Sequence, residues 1–218
     1  MRRAPVDPRK LLPALGLAIG LAGLLLQLYI SMQAYIAAGR DIPGALGAFC
    51  AYYTVLTNCV LVLIYLSEVL PAAGLQIFRH PVVRASMAAC IALVSIYVVF
   101  VLRFLYTLTG LSRLADTLLH YVAPLLYLIW WAIAQPHGLL RWSNIPVMLA
   151  PTLVYFVLIM LRGVWVQEYP YPFMDAAELG YSGVLVGALM LATGLAVLAA
   201  TIIGLDRILS RNWNLVHE

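Results

Sequence analysis

The chain has 218 residues, 64% of them hydrophobic and only 10% charged, with a mean hydropathy of +0.97. Soluble domains carry roughly a quarter charged residues, so this composition excludes a soluble globular protein. The formal net charge of +4 comes from basic residues that flank apolar blocks, which suits a membrane surface and speaks against a nucleic-acid partner.

The apolar material falls into about six blocks, each close to the ~20 residues a helix needs to cross a hydrocarbon core. This predicts an all-α polytopic membrane protein, a single domain over 1–218 built as a bundle of six transmembrane helices. The bilayer is its expected environment. Cys50, Cys59 and Cys90 all lie within spans, with no CxxC pair and no histidines at ligand spacing. Neither a disulfide framework nor a metal site is indicated, and no cofactor is expected.

The charged start MRRAPVDPRK leads into an apolar run longer than the ~7 to 15 residues of a signal-peptide core, so it reads as an uncleaved first helix. Span one covers about 11–36, with Gly16, Gly20 and Gly23 spaced to let a neighbouring helix approach closely. GRDIPG, from Gly39 to Gly44, is a turn. Span two covers about 45–70 as one helix and carries Thr54, Thr57 and Asn58, which at i, i+3 and i+4 share one face.

A short polar connection ends in Arg79, His80 and Pro81; His80 reads as solvated, and Pro81 as the start of span three, about 82–105. Arg103 near its end either snorkels to the interface or holds an anionic group by a bidentate contact. Span four, about 114–134, places Asp116 and His120 one turn apart, with Pro124 expected to kink the helix just beyond them and Trp130 and Trp131 read as interface anchors. His137 follows in a loop that reads as exposed. Span five covers about 145–161, with a kink expected at Pro151, and span six about 181–206, with Gly183 and Gly187 as a packing pair. Between them, the YPYPF run from Tyr169 to Phe173 favours extended backbone and suits a membrane interface. It reads as a re-entrant cap whose Tyr169, Tyr171 and Phe173 border a substrate.

With the N-terminus inside, Arg2, Arg3, Arg9, Lys10, Arg79, Arg84, Arg141, Arg207 and Arg211 collect on one side, nine of the 13 basic residues. The positive-inside rule then places both termini in the cytoplasm. Thr54, His120, the YPYPF cap and Arg103 all fall toward the opposite, outer side. A hydroxyl and an imidazole are the minimum parts of a nucleophile and its base. An intramembrane histidine is a functional candidate because burial favours the neutral imidazole, the form that accepts a proton.

The segments YYTVLTN (Tyr52 to Asn58), LLHYVAPLLYL (Leu118 to Leu128) and RGVWVQEYPYPF (Arg162 to Phe173) resemble, in order and along nearly the whole chain, the androgen-induced-gene (AIG/ADTRP) membrane hydrolases. The resemblance implies a membrane-embedded threonine nucleophile and a histidine base that cleave fatty acid esters of hydroxy fatty acids or similar lipid esters. It maps the nucleophile to Thr54 and the base to His120. The animal members carry Asp where Thr57 stands, so Thr57 stays a rival nucleophile. Asn58 is either an interhelical tie or an oxyanion donor, and Asp116 either orients His120 or pairs with Arg113 or Arg103. A different class, a small proton-coupled transporter or lipid-binding protein with His120 as proton carrier, is the alternative. Twelve Arg against one Lys is the bias of a GC-rich bacterial genome, which makes the cell membrane the expected location.

Overall fold

The structure, a computed structural model, describes residues 8–217 apart from 71 and 106, with side chains described between 11 and 210. The side chains of Arg2, Arg3, Arg9, Lys10 and Arg211, used in the charge count, lie outside the described residues. Among the described residues every regular element is helical. The principal helices are α1 (Pro8–Ala37), α2 (Ile42–Cys50), α3 (Tyr53–Val69), α4 (Pro81–Phe100), α5 (Gly110–Thr117), α6 (Ala123–Ala134), α7 (Ile145–Val166) and α8 (Ala176–His217). Five stretches are long and apolar enough to cross a membrane: Leu11–Ala37, Pro81–Phe104, Gly110–Ala134, Trp142–Val166 and Ala176–Ser210. The protein is therefore a multi-pass helical membrane protein by length and composition.

The second span differs from the continuous helix expected over 45–70. Helices α2 and α3 meet at an angle of 79° across Ala51 and Tyr52. Tyr52 adopts an extended conformation (φ −79°, ψ 126°), and the Ala51 carbonyl accepts a hydrogen bond of 2.8 Å from the Tyr155 hydroxyl on α7. A backbone break inside an apolar layer is tolerated when another element satisfies the freed polar groups. Tyr155 does so here.

Helix α1 packs on α3 and α6, and its glycines face α3 and residues 118–119. A β-carbon at Gly16 would stand 2.3 Å from the Tyr65 ring, one at Gly20 2.7 Å from Val62, and one at Gly23 2.8 Å from Leu119. A side chain at any of the three would force its neighbour to shift, which accounts for small residues at that spacing. The last of them presses α1 against the segment that carries His120.

That segment, Leu118–Val122, is a π-helical turn joining α5 to α6. Pro124 was expected to kink the helix just beyond His120. Instead the widened turn lies immediately before the proline, which has no N–H to give the turn behind it. Two carbonyls there are taken by other helices: Asn58 Nδ2 donates to Leu119 O at 3.3 Å, and Ser95 Oγ donates to His120 O at 2.9 Å. The proline thereby frees the groups that fix the His120 turn against α3 and α4.

At the opposite end of the bundle, Trp130 and Trp131 are 0% and 4% exposed, so they are core residues and not interface anchors. Trp130 packs edge-on against Tyr65 at 5.3 Å, with the guanidinium of buried Arg84 5.3 Å from its ring centroid. Arg84 binds Glu68, Gln135 and the Phe78 carbonyl, which pays for its burial. The His137 side chain, expected to be exposed, is 2% exposed and meets Asp206 at 3.2 Å. Asp206 also accepts the Leu140 N–H at 3.0 Å, so this pair ties the 135–141 loop to α8.

Helix α7 continues to Val166, past the end expected near 161, and stops at Gln167, whose left-handed conformation (φ 54°, ψ 36°) turns the chain back. The strap 168–175 then crosses the bundle end. Tyr169 lies so close on Gly163 that a β-carbon there would stand 2.0 Å from its ring. Helix α8 begins with a short turn, breaks at Gly180 (φ 67°, ψ 164°) and then runs as the last apolar span.

Candidate active site

Thr54 is in the first turn of α3, directly after the break, and is 8% exposed. Its Oγ lies 3.2 Å from His120 Nε2. The other imidazole nitrogen, Nδ1, lies 2.8 Å from an Asp116 carboxylate oxygen and 3.2 Å from the Asp116 carbonyl. Hydroxyl, imidazole and carboxylate thus form a chain across two spans. A carboxylate on Nδ1 fixes the tautomer that leaves Nε2 free to accept a proton from Oγ. Of the three partners left open for Asp116, the one in contact is His120, while Arg113 and Arg103 are exposed.

Thr57 is 3% exposed, but its hydroxyl donates to the carbonyls of Tyr53 (2.9 Å) and Thr54 (3.1 Å) in its own helix. This is the usual habit of a helical threonine. Asn58 Nδ2 donates to Thr54 O at 2.9 Å and to Leu119 O at 3.3 Å, so the amide ties α3 to the His120 turn. Arg103 stacks on the Phe104 ring at 4.6 Å and lines no cavity beside Thr54.

Two chambers meet at Thr54 and Tyr171, which line both. One, about 100 Å3, lies between α4, α7 and α8 and is walled by Leu93, Val98, Leu153, Phe156, Phe173 and Leu191. The other, about 330 Å3, lies between α1, α5 and the strap and holds Gln27, Ser31, Ser112, Asp116 and His120. Tyr171 is held by ring contacts to Tyr52 (5.8 Å), Tyr97 (6.5 Å) and Phe173 (5.5 Å, stacked). Burial pushes its phenol pKa up, while the Thr54 side chain and the backbone of Thr54 and Tyr53 act on the hydroxyl in the other direction. The hydroxyl therefore faces the first turn of α3, where helix geometry leaves N–H groups without intrahelical acceptors. Tyr169, by contrast, packs against Tyr155, Ile159 and Met174 and lines neither chamber.

The strap is pinned by charge. Arg40, on the α1–α2 connection, makes a bidentate contact with Glu168 at 2.9 and 2.7 Å, and Arg162 reaches the same carboxylate at 3.4 Å. The hydrogen bond from Arg40 holds the Glu168 pKa below its ordinary value. Sequence reading passed over this clamp, along with Gln27 and Ser31, which bond one another at 3.0 Å on α1. The signal for the latter was present: two polar residues at i and i+4 on an otherwise apolar span. Among the described residues, no three His, Cys, Asp or Glu side chains are grouped as a metal would need.

Comparison of the chain with protein-family models, with curated proteins and with solved structures finds no match.

Proposed function

We propose that the protein is an intramembrane lipid ester hydrolase with Thr54 as nucleophile, His120 as general base and Asp116 as the residue that orients the imidazole. The observation that carries this reading is the 3.2 Å contact between Thr54 Oγ and His120 Nε2 at the junction of two chambers, one almost wholly apolar and one with a polar face. A helical threonine ordinarily spends its hydroxyl on the carbonyl four residues back, as Thr57 does. Thr54 instead presents its hydroxyl to a base, on a first helix turn whose dipole favours developing negative charge.

In the first half-reaction, Nε2 takes the Thr54 proton as Oγ attacks the ester carbonyl carbon. The tetrahedral oxyanion forms beside the first turn of α3, in the region faced by Tyr171. Its collapse breaks the bond to the alcohol, which leaves with the proton from Nε2, and an acyl-threonine ester remains. Water, deprotonated by the same nitrogen, attacks that ester, releases the fatty acid and restores Thr54. The resemblance to the androgen-induced-gene hydrolases points to fatty acid esters of hydroxy fatty acids or similar lipid esters as substrates.

The bent α2–α3 pair counts in this reading as one span, giving six spans with both termini in the cytoplasm and a place in the cell membrane. The positive-inside distribution supports that orientation.

The test is ester hydrolysis by purified protein in detergent or nanodiscs. Thr54→Ala and His120→Ala are expected to lower kcat by about 10³-fold, and Thr54→Ser to keep measurable turnover. Hydrolysis unchanged in Thr54→Ala would refute the assignment.

A further inference from the structure

The charge inventory around the Thr54 junction bears on which ester it accepts. The chamber between α4, α7 and α8 is apolar apart from hydroxyls, and it matches a hydrocarbon chain. Besides Thr54, the second chamber offers one amide, Gln27, and two serine hydroxyls, Ser31 and Ser112, while among the described residues Asp116 and His120 are its only ionisable groups besides tyrosines. Among the described residues, no Arg or Lys lines either chamber. Of the arginines at this end of the bundle, Arg40 and Arg162 hold Glu168, Arg103 stacks on Phe104 at the exposed surface, and Arg113 is exposed and lines neither chamber.

A carboxylate on the alcohol half of an ester that lies in this chamber would share it with Asp116 and meet no Arg or Lys among the described residues. Burying a second negative charge without a partner is unfavourable. Uncharged hydroxyls, in contrast, find groups that both donate and accept in Gln27, Ser31 and Ser112. On the basis of the hydrolase reading above, we infer that the substrate is an uncharged acyl ester of a polyol, of the monoacylglycerol type. Its acyl chain lies among the side chains of α4, α7 and α8, and its free hydroxyls meet the Gln27, Ser31 and Ser112 face. This favours the neutral end of the lipid esters that the resemblance implies, over those whose alcohol half carries a free acid.

The experiment uses three oleoyl esters with the full-length protein in nanodiscs: monooleoylglycerol, the oleoyl ester of a hydroxystearic acid, and the methyl ester of that same compound. The last two differ in charge and hardly in shape. At about pH 8, where a free carboxyl is ionised, the methyl ester is expected to be cleaved with a kcat/KM about ten-fold or more above that of the free acid. Monooleoylglycerol is expected to be cleaved at least as well as the methyl ester, and Thr54→Ala to remove all three activities. Free acid cleaved as fast as its methyl ester, in a Thr54-dependent way, overturns the inference on charge and leaves the hydrolase intact. Failure to cleave monooleoylglycerol while the methyl ester is cleaved overturns the polyol assignment. Hydrolysis that persists in Thr54→Ala, or none with any ester, overturns the hydrolase reading and this inference with it.

Discussion

Asn58 donates its side-chain amide both to the carbonyl of Thr54, at 2.9 Å, and to the carbonyl of Leu119, at 3.3 Å. One side chain thus holds the backbone of the hydroxyl-bearing residue and the backbone next to His120 at a fixed separation. The amide is 1% exposed and both contacts are to carbonyls, which makes it an interhelical tie.

Replacing Asn58 with Leu should cost about 1–3 kcal/mol of stability, since Leu119 O is left buried without a donor. The loss of alignment between Thr54 and His120 should also lower kcat by about ten-fold or more while KM changes little. Thermal unfolding together with steady-state kinetics separates the two effects. A destabilised variant with unchanged kcat would show that the tie holds the fold but does not set the site.

Thr57→Ala should keep kcat within about three-fold of wild type, because the hydroxyl it removes serves only its own helix. The comparison is direct in the same ester assay. Loss of activity in Thr57→Ala with retention in Thr54→Ala would reverse the assignment of the nucleophile.

Asp116→Asn preserves the shape of the side chain and removes the charge beside His120 Nδ1. The substitution should lower kcat by about 10²- to 10⁴-fold, as expected when an imidazole loses the carboxylate that sets its tautomer. Asp116→Glu, which keeps the carboxylate, should recover part of the loss. Equal activity in Asp116→Asn and wild type would reduce Asp116 to a surface-facing partner of His120.

Much of the architecture is legible in the chain. The apolar blocks locate the spans, the glycines of α1 mark its close contacts with Tyr65, Val62 and Leu119, and Pro81 opens α4. The helical spacings of Thr54 with Asn58 and of Asp116 with His120 picked out the side chains that the fold brings together. The break between α2 and α3 was not legible, because no Gly or Pro stands between Phe49 and Asn58. It depends on Tyr155, far along the chain, to satisfy the Ala51 carbonyl. The burial of Trp130 and His137 was hidden for the same reason: their partners, Arg84 and Asp206, come from other helices. Pro124 announced a disturbance near His120, but a kink and a π-helical turn relieve the same missing N–H, and the local sequence does not choose between them.

Gly163→Ala tests the seating of the strap. Its added methyl would stand 2.0 Å from the Tyr169 ring, so the ring and the strap must shift. Overpacking of this kind costs about 1–3 kcal/mol. Activity should fall with it, since Tyr171 and Phe173 line the apolar chamber from the same strap. Proteolysis between 167 and 175 should become faster than in wild type.

The Arg40–Glu168 clamp gives the strap a pH dependence with a definite sign. The Glu168 pKa is lower in the folded protein than its ordinary value of 4.5, so its contribution is complete at neutral pH. The contribution is lost as pH falls through the lowered pKa. Glu168→Gln should therefore loosen the strap at pH 7 and abolish the part of its acid release that belongs to this residue. Because both side chains are about one-third exposed, at 35% and 37%, the effect should weaken in high salt. Hydrogen exchange of the strap amides across the acid range, in wild type and Glu168→Gln, measures it. Identical profiles for the two proteins would exclude the clamp as the cause.

The most direct measurement is covalent labelling of the purified protein with a fluorophosphonate, with the adduct located by mass spectrometry in wild type, Thr54→Ala, Thr57→Ala and His120→Ala. The expected result is an adduct on Thr54 in wild type and Thr57→Ala, and none in Thr54→Ala or His120→Ala. An adduct that stays on Thr54 without His120, or one that forms on Thr57 instead, would contradict the assignment of Thr54 as a nucleophile activated by His120.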